Sequence, residues 1–198
     1  MDAGQGFNNT YERSKFEAEL VVARYRKLGL DIDVYRPGVV IGRSSDGMTT
    51  NFKMFYQPLH FFSLELFDAI PASKESGVNL INVDIAAKAI RRIAGRANTR
   101  NTNYHITTPK TATLGLIIDT ASRFFGFRKP RLVPPNEFDI LKEYTPIKRR
   151  LIGPFVPYFD YSTEFDAKNA ASCLRETGCT FPDFGQSCLI RQFEYCDQ

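Results

Sequence analysis

The sequence contains no long apolar run, no dense stripe of basic residues and no cysteine–histidine ligand pattern. Each absence excludes a class of protein. No stretch approaches the run of about 18 apolar residues that a membrane span needs, and the first residues are polar, so neither a span nor a secretory signal is predicted. A net charge of +4 on 198 residues, without a Lys/Arg stripe, does not predict a nucleic-acid partner. We therefore expect a cytoplasmic protein.

Histidine is scarce and cysteine is confined to the end of the chain. The only two histidines, His60 and His105, lie far in sequence from the cysteines, and the cysteine spacings match no zinc-ligand pattern. We predict no metal site. Reduced, half-buried thiols are the expected state, and a disulfide stays open as an alternative. The four cysteines are Cys173, Cys179, Cys188 and Cys196.

The composition is that of a folded globular chain, with 43% hydrophobic and 24% charged residues. Its length suits one medium domain or parts of two. Helical and strand patterns alternate along the chain, which is typical of an open α/β sheet. We predict helices at 11–28, 85–96, 113–125, 137–150, 166–177 and 184–195, and strands at 32–36, 78–83 and 103–107. Residues 39–42 are an apolar continuation after the Pro-Gly break, and 131–133 are a short apolar segment. We also predict two helical pieces divided by Pro58 within 49–67 and an irregular segment at 153–161.

The most informative feature is Tyr11 followed four residues later by Lys15. Residues at i and i+4 lie on one face of a helix, so the two side chains are expected to meet. A fixed ammonium beside a phenolic hydroxyl favours the phenolate. Such a pair can give a proton to a carbonyl oxygen or take one from an alcohol. The spacing alone is common, and a packed tyrosine with a solvated lysine is the alternative.

The surrounding residues make the pair more specific. N-x-Y-E-x-S-K-x-x-A-E at 9–19, then G-L-D-I-D-V-Y-R-P-G-V-V-I-G at 29–42, resembles the active-site helix and next strand of extended short-chain dehydrogenase/reductases. The R-P-G-V-V-I-G form is most similar to the thioester-reductase and fatty-acyl-CoA-reductase branch, whose NAD-binding domain is male-sterility-like. L-I-N-V-D-I-A at 80–86 resembles a later strand–helix step of these proteins. Phe165 to Asn169, with Leu174, Gly178 and Pro182, is similar to the carboxy-terminal cap of some such reductases.

The resemblance implies an α/β fold, the carboxy-terminal part of a Rossmann-type parallel sheet with a mostly helical substrate-binding region. Residues 1–48 and 78–108 would form the Rossmann part, and 49–77 and 109–198 the substrate-binding or cap region. The aromatic stretch at 52–67 would then line an acyl channel, although plain core packing is the stronger prediction.

The resemblance also implies site residues and ligands. Tyr11 would protonate the carbonyl oxygen, and Lys15 would favour the ionised form of Tyr11 and bind the nicotinamide ribose. Pro37, Gly38, Val39 and Val40 would lie against the nicotinamide of NADP, with NAD as the alternative. The substrate would be an acyl thioester on a carrier protein or coenzyme A, reduced to an aldehyde or alcohol; Lys148 to Arg150 would meet its acidic carrier or phosphates.

Two elements of the family pattern are missing. The sequence has no GxxGxxG turn, which would seat the pyrophosphate, and no preceding Ser or Thr at the family's distance from Tyr11. We therefore predict that this chain alone binds NADPH weakly. An upstream strand–GxxGxxG–helix unit or a separate partner would supply the missing Rossmann half, and exposed sheet edges would favour self-association.

The sequence leaves two alternative functions. A nucleotide-sugar epimerase or dehydratase of the same superfamily would show R-x-x-N-x-Y-G-P after the strand, and the Asn and Tyr of that motif are lacking here. A non-catalytic chain is the second alternative. Among single residues, we interpret Asp84 as a helix N-cap and Ser14 as a helix-packing residue. Arg36 would either face a substrate anion or form an ion pair or a backbone hydrogen bond at a strand end.

Overall fold

The computed structural model describes residues 4–96, 100–160, 164–175, 177–179, 181 and 184–197. Its helices are α1 Thr10–Lys27, α2 Tyr56–Ser63, α3 Val83–Ala94, α4 Leu114–Phe125, α5 Ile140–Glu143, α6 Pro146–Ile152, α7 Val156–Phe159, α8 Lys168–Leu174 and α9 Gln186–Cys196, with a 3-10 turn at Pro135–Glu137. Its strands are β1 Val34–Pro37, β2 Val39–Ile41, β3 Ala69–Pro71, β4 Gly77–Val78, β5 Leu80–Asn82, β6 Asn103–Ile106, β7 Ala112–Thr113 and β8 Arg131–Val133.

The strands pair mostly in parallel. β1 pairs with β6, β2 with β5 and β3 with β8 in parallel, while β4 and β7 are antiparallel. This arrangement of parallel pairs among many helices confirms the predicted α/β class. Within the described residues, each strand has a single hydrogen-bonded neighbour, so each has an edge that no other described strand covers.

The chain changes strand partner at Pro37–Gly38. Gly38 N donates to Ile106 O in β6 at 3.1 Å, and the next residue, Val39, donates from its N to Asn79 O at 2.8 Å, just before β5. A Cβ on Gly38 would lie 2.5 Å from Asn79 O, so only glycine permits this approach. The Pro-Gly break therefore directs β2 towards β5 and places its carboxyl end beside the start of α3.

The core consists of two apolar clusters. The larger one joins α2, α4 and α9 and contains most of the aromatic stretch, including Phe55, Phe61, Phe62 and Phe67. Those four rings are therefore core residues and not the lining of an acyl channel. The smaller cluster contains residues of α3, β6 and α8. Leu80 and Ile81 of β5 belong to different clusters, because successive strand residues point to opposite faces.

Several element predictions were wrong in detail. Residues 49–67 contain one helix, and Pro58 lies in its first turn, where a missing N–H has no intrahelical partner to lose. The predicted helix over 137–150 is interrupted, because Pro146 begins α6 instead of continuing a helix. The segment predicted to be irregular contains α7, and its last residue, Tyr161, lies outside the described residues, as does Pro182.

The four cysteines are free thiols. Within the described ranges, no helix combines the length and apolar character needed to cross a membrane.

Candidate active site

The Tyr11–Lys15 pair lies in the first turns of α1. Asn9 is the N-cap, and its side-chain oxygen accepts a hydrogen bond from Glu12 N at 2.9 Å. Lys15 Nζ lies 5.2 Å from the centroid of the Tyr11 ring, in cation–π geometry. Tyr11 is 66% exposed. The two side chains thus meet on one accessible face of the helix, and their catalytic roles stay predictions.

A tyrosine from the far end of the chain attaches the start of α1 to the body of the protein. Tyr158 Oη accepts a hydrogen bond from Asn9 Nδ2 at 2.7 Å and donates one to Glu12 Oε1 at 2.6 Å. Asn8 N also donates to Glu12, at 2.7 Å. The Tyr158 bond is the main reason that the pKa of Glu12 is lowered. No local signal could reveal Tyr158, because it follows Glu12 by 146 residues.

The rest of α1 is attached by further polar contacts. Arg36 Nε donates to Glu19 at 2.7 Å, which settles Arg36 as the predicted ion pair at a strand end. Arg26 donates to Ile32 O and to Asn103 Oδ1. The helix buries no residue completely. Its most covered positions are only half-buried and recur at helical spacing: Glu12, Phe16, Glu19, Val22 and Arg26.

Replacing Tyr158 with Phe tests how the start of α1 is held. The variant loses the bond to Glu12, so we expect the pKa of Glu12 to rise towards its ordinary value. In the wild type this bond contributes to the free energy of unfolding at pH values above the ordinary pKa of Glu12. That contribution is lost as the pH falls through the lowered pKa of the folded state. NMR titration of Glu12 and amide exchange of 10–16 measure both effects. Tyr25→Phe is the matched control, and an unchanged Glu12 titration in Tyr158→Phe would contradict the attachment.

A cavity of about 400 Å³ opens at the carboxyl end of β2. Val40, predicted to contact the nicotinamide, is 44% exposed and lines it. The described residues that line the cavity do not include Tyr11 or Lys15. Pro37, Gly38 and Val39 lie in or beside the strand that leads to it. The full lining is Val40, Ile41, Arg43, Met48, Thr49, Thr50, Asn51 and Val83.

One side-chain hydrogen-bond pair and one ion pair shape the loop that follows β2. Asp84 accepts hydrogen bonds from Ser44 N at 2.8 Å and Ser44 Oγ at 2.6 Å. The N-cap interpretation of Asp84 was wrong, because Asn82 holds the N-cap position and Asp84 lies in the first turn of α3. Arg43 donates to Asp46 and lowers the pKa of that carboxyl to about 2. Of these residues, Arg43 lines the cavity, and both pairs hold the loop that carries it.

A buried polar network lies beneath the same loop. Gly42 N donates to Tyr56 Oη at 2.9 Å, and Tyr56 in turn donates to Gln192 Oε1 at 3.3 Å. Asn82 Nδ2 donates to Gly42 O at 2.7 Å. Burial raises the pKa of Tyr56 to about 12, so its hydroxyl keeps its proton at neutral pH. The network joins Gly42, which directly follows β2, to α2, β5 and α9.

Ser14 differs from its predicted role. It is exposed, and its hydroxyl donates to Tyr11 O at 2.8 Å, one turn back along the helix. The interpretation of Ser14 as a packing residue was therefore wrong.

Comparisons with known proteins agree with this architecture. Residues 1–90 match the model of the male sterility protein family with its NAD-binding domain. The terminal R domain of the myxalamid PKS-NRPS pathway is similar at 21% identity and a TM-score of 0.73, covering 94% of this chain and 48% of that one. A thiolation-reductase di-domain from an archaeal non-ribosomal peptide synthetase is similar at 21% identity and TM-score 0.73, covering 98% and 41%. A UDP-glucuronic acid 4-epimerase from Bacillus cereus, in complex with UDP-glucuronic acid and NAD, has 14% identity and TM-score 0.62, covering 91% and 50%. A comparison with curated proteins found no match.

The parallel strand pairs and these structural neighbours together define a Rossmann-type α/β fold. Within that class, residues 1–90 resemble the male sterility protein family, and the likeness to the two reductase structures is a likeness of fold. The chain spans half the length or less of these three solved structures.

Proposed function

We propose that this chain is the Tyr/Lys-bearing half of an NADP(H)-dependent reductase that reduces an acyl thioester to an aldehyde or alcohol. One observation carries the proposal: Tyr11 and Lys15 meet on an exposed face at the start of α1, inside the sequence context that matches the family model. In such a reaction, Tyr11 Oη would donate its proton to the carbonyl oxygen as a hydride reaches the carbonyl carbon. The resulting hemithioacetal would return its hydroxyl proton to the ionised Tyr11 Oη as the C–S bond breaks, so that the thiolate leaves and the aldehyde forms.

The residues present would suit the nicotinamide of the cofactor and not its pyrophosphate. A cavity of about 400 Å³ beside the exposed Val40 suits a small, flat, mostly apolar ring, and such rings bind at the carboxyl ends of strands in this fold class. We propose that Pro37, Gly38, Val39 and Val40 would lie against the ring and that Lys15 would bind the ribose. When bound, the cofactor supplies the hydride. The sequence offers no GxxGxxG turn for the pyrophosphate.

The carrier of the thioester and the division of the chain are also proposals. The two reductase neighbours come from PKS and non-ribosomal peptide synthetase systems, and one is joined to a thiolation domain. This supports an acyl group on a carrier protein, with coenzyme A as the alternative. We place the Rossmann part at 1–48 and 78–108 and the substrate-binding region at 49–77 and 109–198. A partner or further segment would supply the remaining Rossmann half.

The purified chain is expected to show no saturable NADPH binding in the micromolar range. The physical reason is that much of the affinity for a dinucleotide comes from a pyrophosphate at a helix N-terminus, and this sequence lacks the turn that makes that site. Quenching of intrinsic tyrosine fluorescence during an NADPH titration measures the binding. Adding a separate polypeptide that carries the strand–GxxGxxG–helix unit should restore it. Tight binding by the chain alone would contradict the proposal that the cofactor needs the other half.

A further inference from the structure

A second cavity, of about 320 Å³, lies between α2, the last turn of α4 and the end of α9. Its rim is polar, since the exposed side chains of Gln57 and His60 border it. Its interior is apolar and mostly aromatic, and none of the four core rings named above is among the described residues that line it. An apolar interior with a few polar groups is typical of a pocket for an apolar ligand. We call it the aromatic cavity and define it by Phe52, Tyr56, Leu59, Phe125, Phe193 and Cys196.

The interior wall of the aromatic cavity is held in place by contacts behind it. Tyr56 and Phe193 are each less than a tenth exposed. The centroids of the Phe193 and Phe125 rings lie 5.4 Å apart, which joins α9 to α4. The Tyr56 hydroxyl is hydrogen-bonded to Gly42 N and to Gln192, so Tyr56 presents its ring to the cavity. The folded chain therefore forms this cavity by itself, without a ligand to shape it.

The interior of the aromatic cavity suits an uncharged ligand. The described residues that line it include no Lys, Arg, Asp or Glu. Burial raises the pKa of the Cys196 thiol to about 11, so this side chain is uncharged at neutral pH and packs as a small apolar group. A phosphate or a carboxylate would lose its hydration there without a charged partner in return. An apolar group is therefore the ligand that fits.

The aromatic cavity adjoins the cavity at the carboxyl end of β2, which we call the β2 cavity. Asn51 lines the β2 cavity, and the next residue, Phe52, lines the aromatic cavity. Consecutive Cα atoms are about 3.8 Å apart, so the two cavities meet at this point of the chain. Phe52 is 50% exposed, and its ring lies edge-on to that of Tyr56, with the centroids 5.7 Å apart. A ligand bound at the β2 cavity can therefore extend past the Phe52 ring into the aromatic cavity.

From this adjacency, the volume and the uncharged lining, we propose that the aromatic cavity binds the apolar tail of the acyl group whose carbonyl meets the nicotinamide at the β2 cavity. The inference rests on the proposed function for the carbonyl chemistry, and it adds the class of acyl group. An apolar cavity of about 150 Å³ holds one benzene ring, so a volume of about 320 Å³ suits on the order of ten carbon atoms. The substrate would then carry a medium-length aliphatic or an aryl-ended acyl group, whereas an acetyl group would leave the cavity unfilled.

A tryptophan reporter tests binding in the chain itself. The sequence has no tryptophan, so Phe52→Trp gives a single one where the two cavities meet. Octanamide, an uncharged amide with an aliphatic tail, should shift the emission to shorter wavelength in a saturable way, with a Kd below about 1 mM. Adding Cys196→Phe should fill the interior and raise this Kd by about tenfold or more. Phe165→Trp is the matched control and should not respond, because Phe165 is 39% exposed and is not among the described residues that line the cavity.

Two results of this titration would overturn the proposal. One is a Phe52→Trp emission that octanamide leaves unchanged, and the other is a Kd that Cys196→Phe does not raise. Circular dichroism shows whether each variant is folded. Should Cys196→Phe fail to fold, Ser63→Phe replaces it, since Ser63 also lines the cavity and is only half-buried, and it should raise the Kd in the same way.

The dependence of rate on acyl length tests the identity of the ligand, in a reductase that joins this chain to its dinucleotide-binding half. The octanoyl thioester of N-acetylcysteamine should have a kcat/KM about 100-fold or more above that of the acetyl thioester. Cys196→Phe should reduce this ratio by about tenfold or more, and Glu194→Phe, an exposed change on the same helix, should leave the ratio unchanged. Equal kcat/KM values for the two thioesters would overturn the acyl-tail assignment. Activity with neither thioester, together with octanamide binding, would contradict the proposed function and not the preference of the cavity for an apolar ligand.

Discussion

Replacing Tyr11 with Phe, in a reductase that joins this chain to its dinucleotide-binding half, is expected to lower kcat by about 10² to 10⁴-fold. Phe keeps the ring over which Lys15 Nζ lies and removes only the hydroxyl that would donate the proton. Cofactor affinity should change little, because the ribose contact is proposed for Lys15 and not for Tyr11. Steady-state rates with an acyl thioester and a separate NADPH titration measure the two quantities.

Lys15→Ala is the companion variant, and it distinguishes chemistry from structure. It should lower both kcat and cofactor affinity, since Lys15 is proposed to act on the Tyr11 hydroxyl and on the ribose. Thermal unfolding should be nearly unchanged in both variants, because both side chains are exposed. Equal loss of cofactor affinity in Tyr11→Phe and Lys15→Ala would mean that Tyr11 has a structural role instead.

Gly42→Ala is expected to destabilise the protein, because the added methyl group meets the backbone of the cavity loop. A Cβ at this position would lie 2.0 Å from Gly47 O and 2.7 Å from Gln192 Oε1. The backbone of the loop must therefore move, and the buried bond from Gly42 N to Tyr56 Oη is strained or lost. Overpacking of this kind costs about 1–3 kcal/mol, which corresponds to a fall of roughly 2–12 °C in Tm for a chain of this size.

Differential scanning calorimetry of the Gly42→Ala variant measures this effect. Gly6→Ala is the matched control, because a Cβ there meets no atom within 4 Å. If the two variants unfold at the same temperature, the close approach between Gly42 and Gly47 is not a constraint of the folded protein.

Local sequence patterns were sufficient to predict several helices and the contact between Tyr11 and Lys15. Thr113 caps α4 and Gly126 ends it in a left-handed conformation, so both ends of that helix are encoded in adjacent residues. The Tyr11–Lys15 contact follows from helical spacing alone. The sequence predicted that Pro37–Gly38 interrupts the strand. It did not predict that the paired strand changes there.

Contacts between distant residues could not be predicted in this way. Tyr158 meets Glu12, and Gln192 meets Tyr56, across more than a hundred residues each. Asp84 illustrates the opposite error: the residue type and position suit a cap, yet Ser44 takes both of its oxygens, since the loop after β2 packs against the start of α3. Packing between elements, rather than propensity within them, decides these sites.

The polar attachment of α1 separates its stability from that of the core. The large heat-capacity change of unfolding comes from exposing apolar surface, and α1 buries no side chain completely. Release of α1 from the body should therefore absorb little heat and respond instead to salt and to protonation of Glu12 and Glu19, whose pKa values their partners lower. In acidic solution at high ionic strength, proteases should cut the connection at residues 28–33 while the two apolar clusters are still folded. The helix that carries the candidate active-site residues would then be the first part of the protein to be lost.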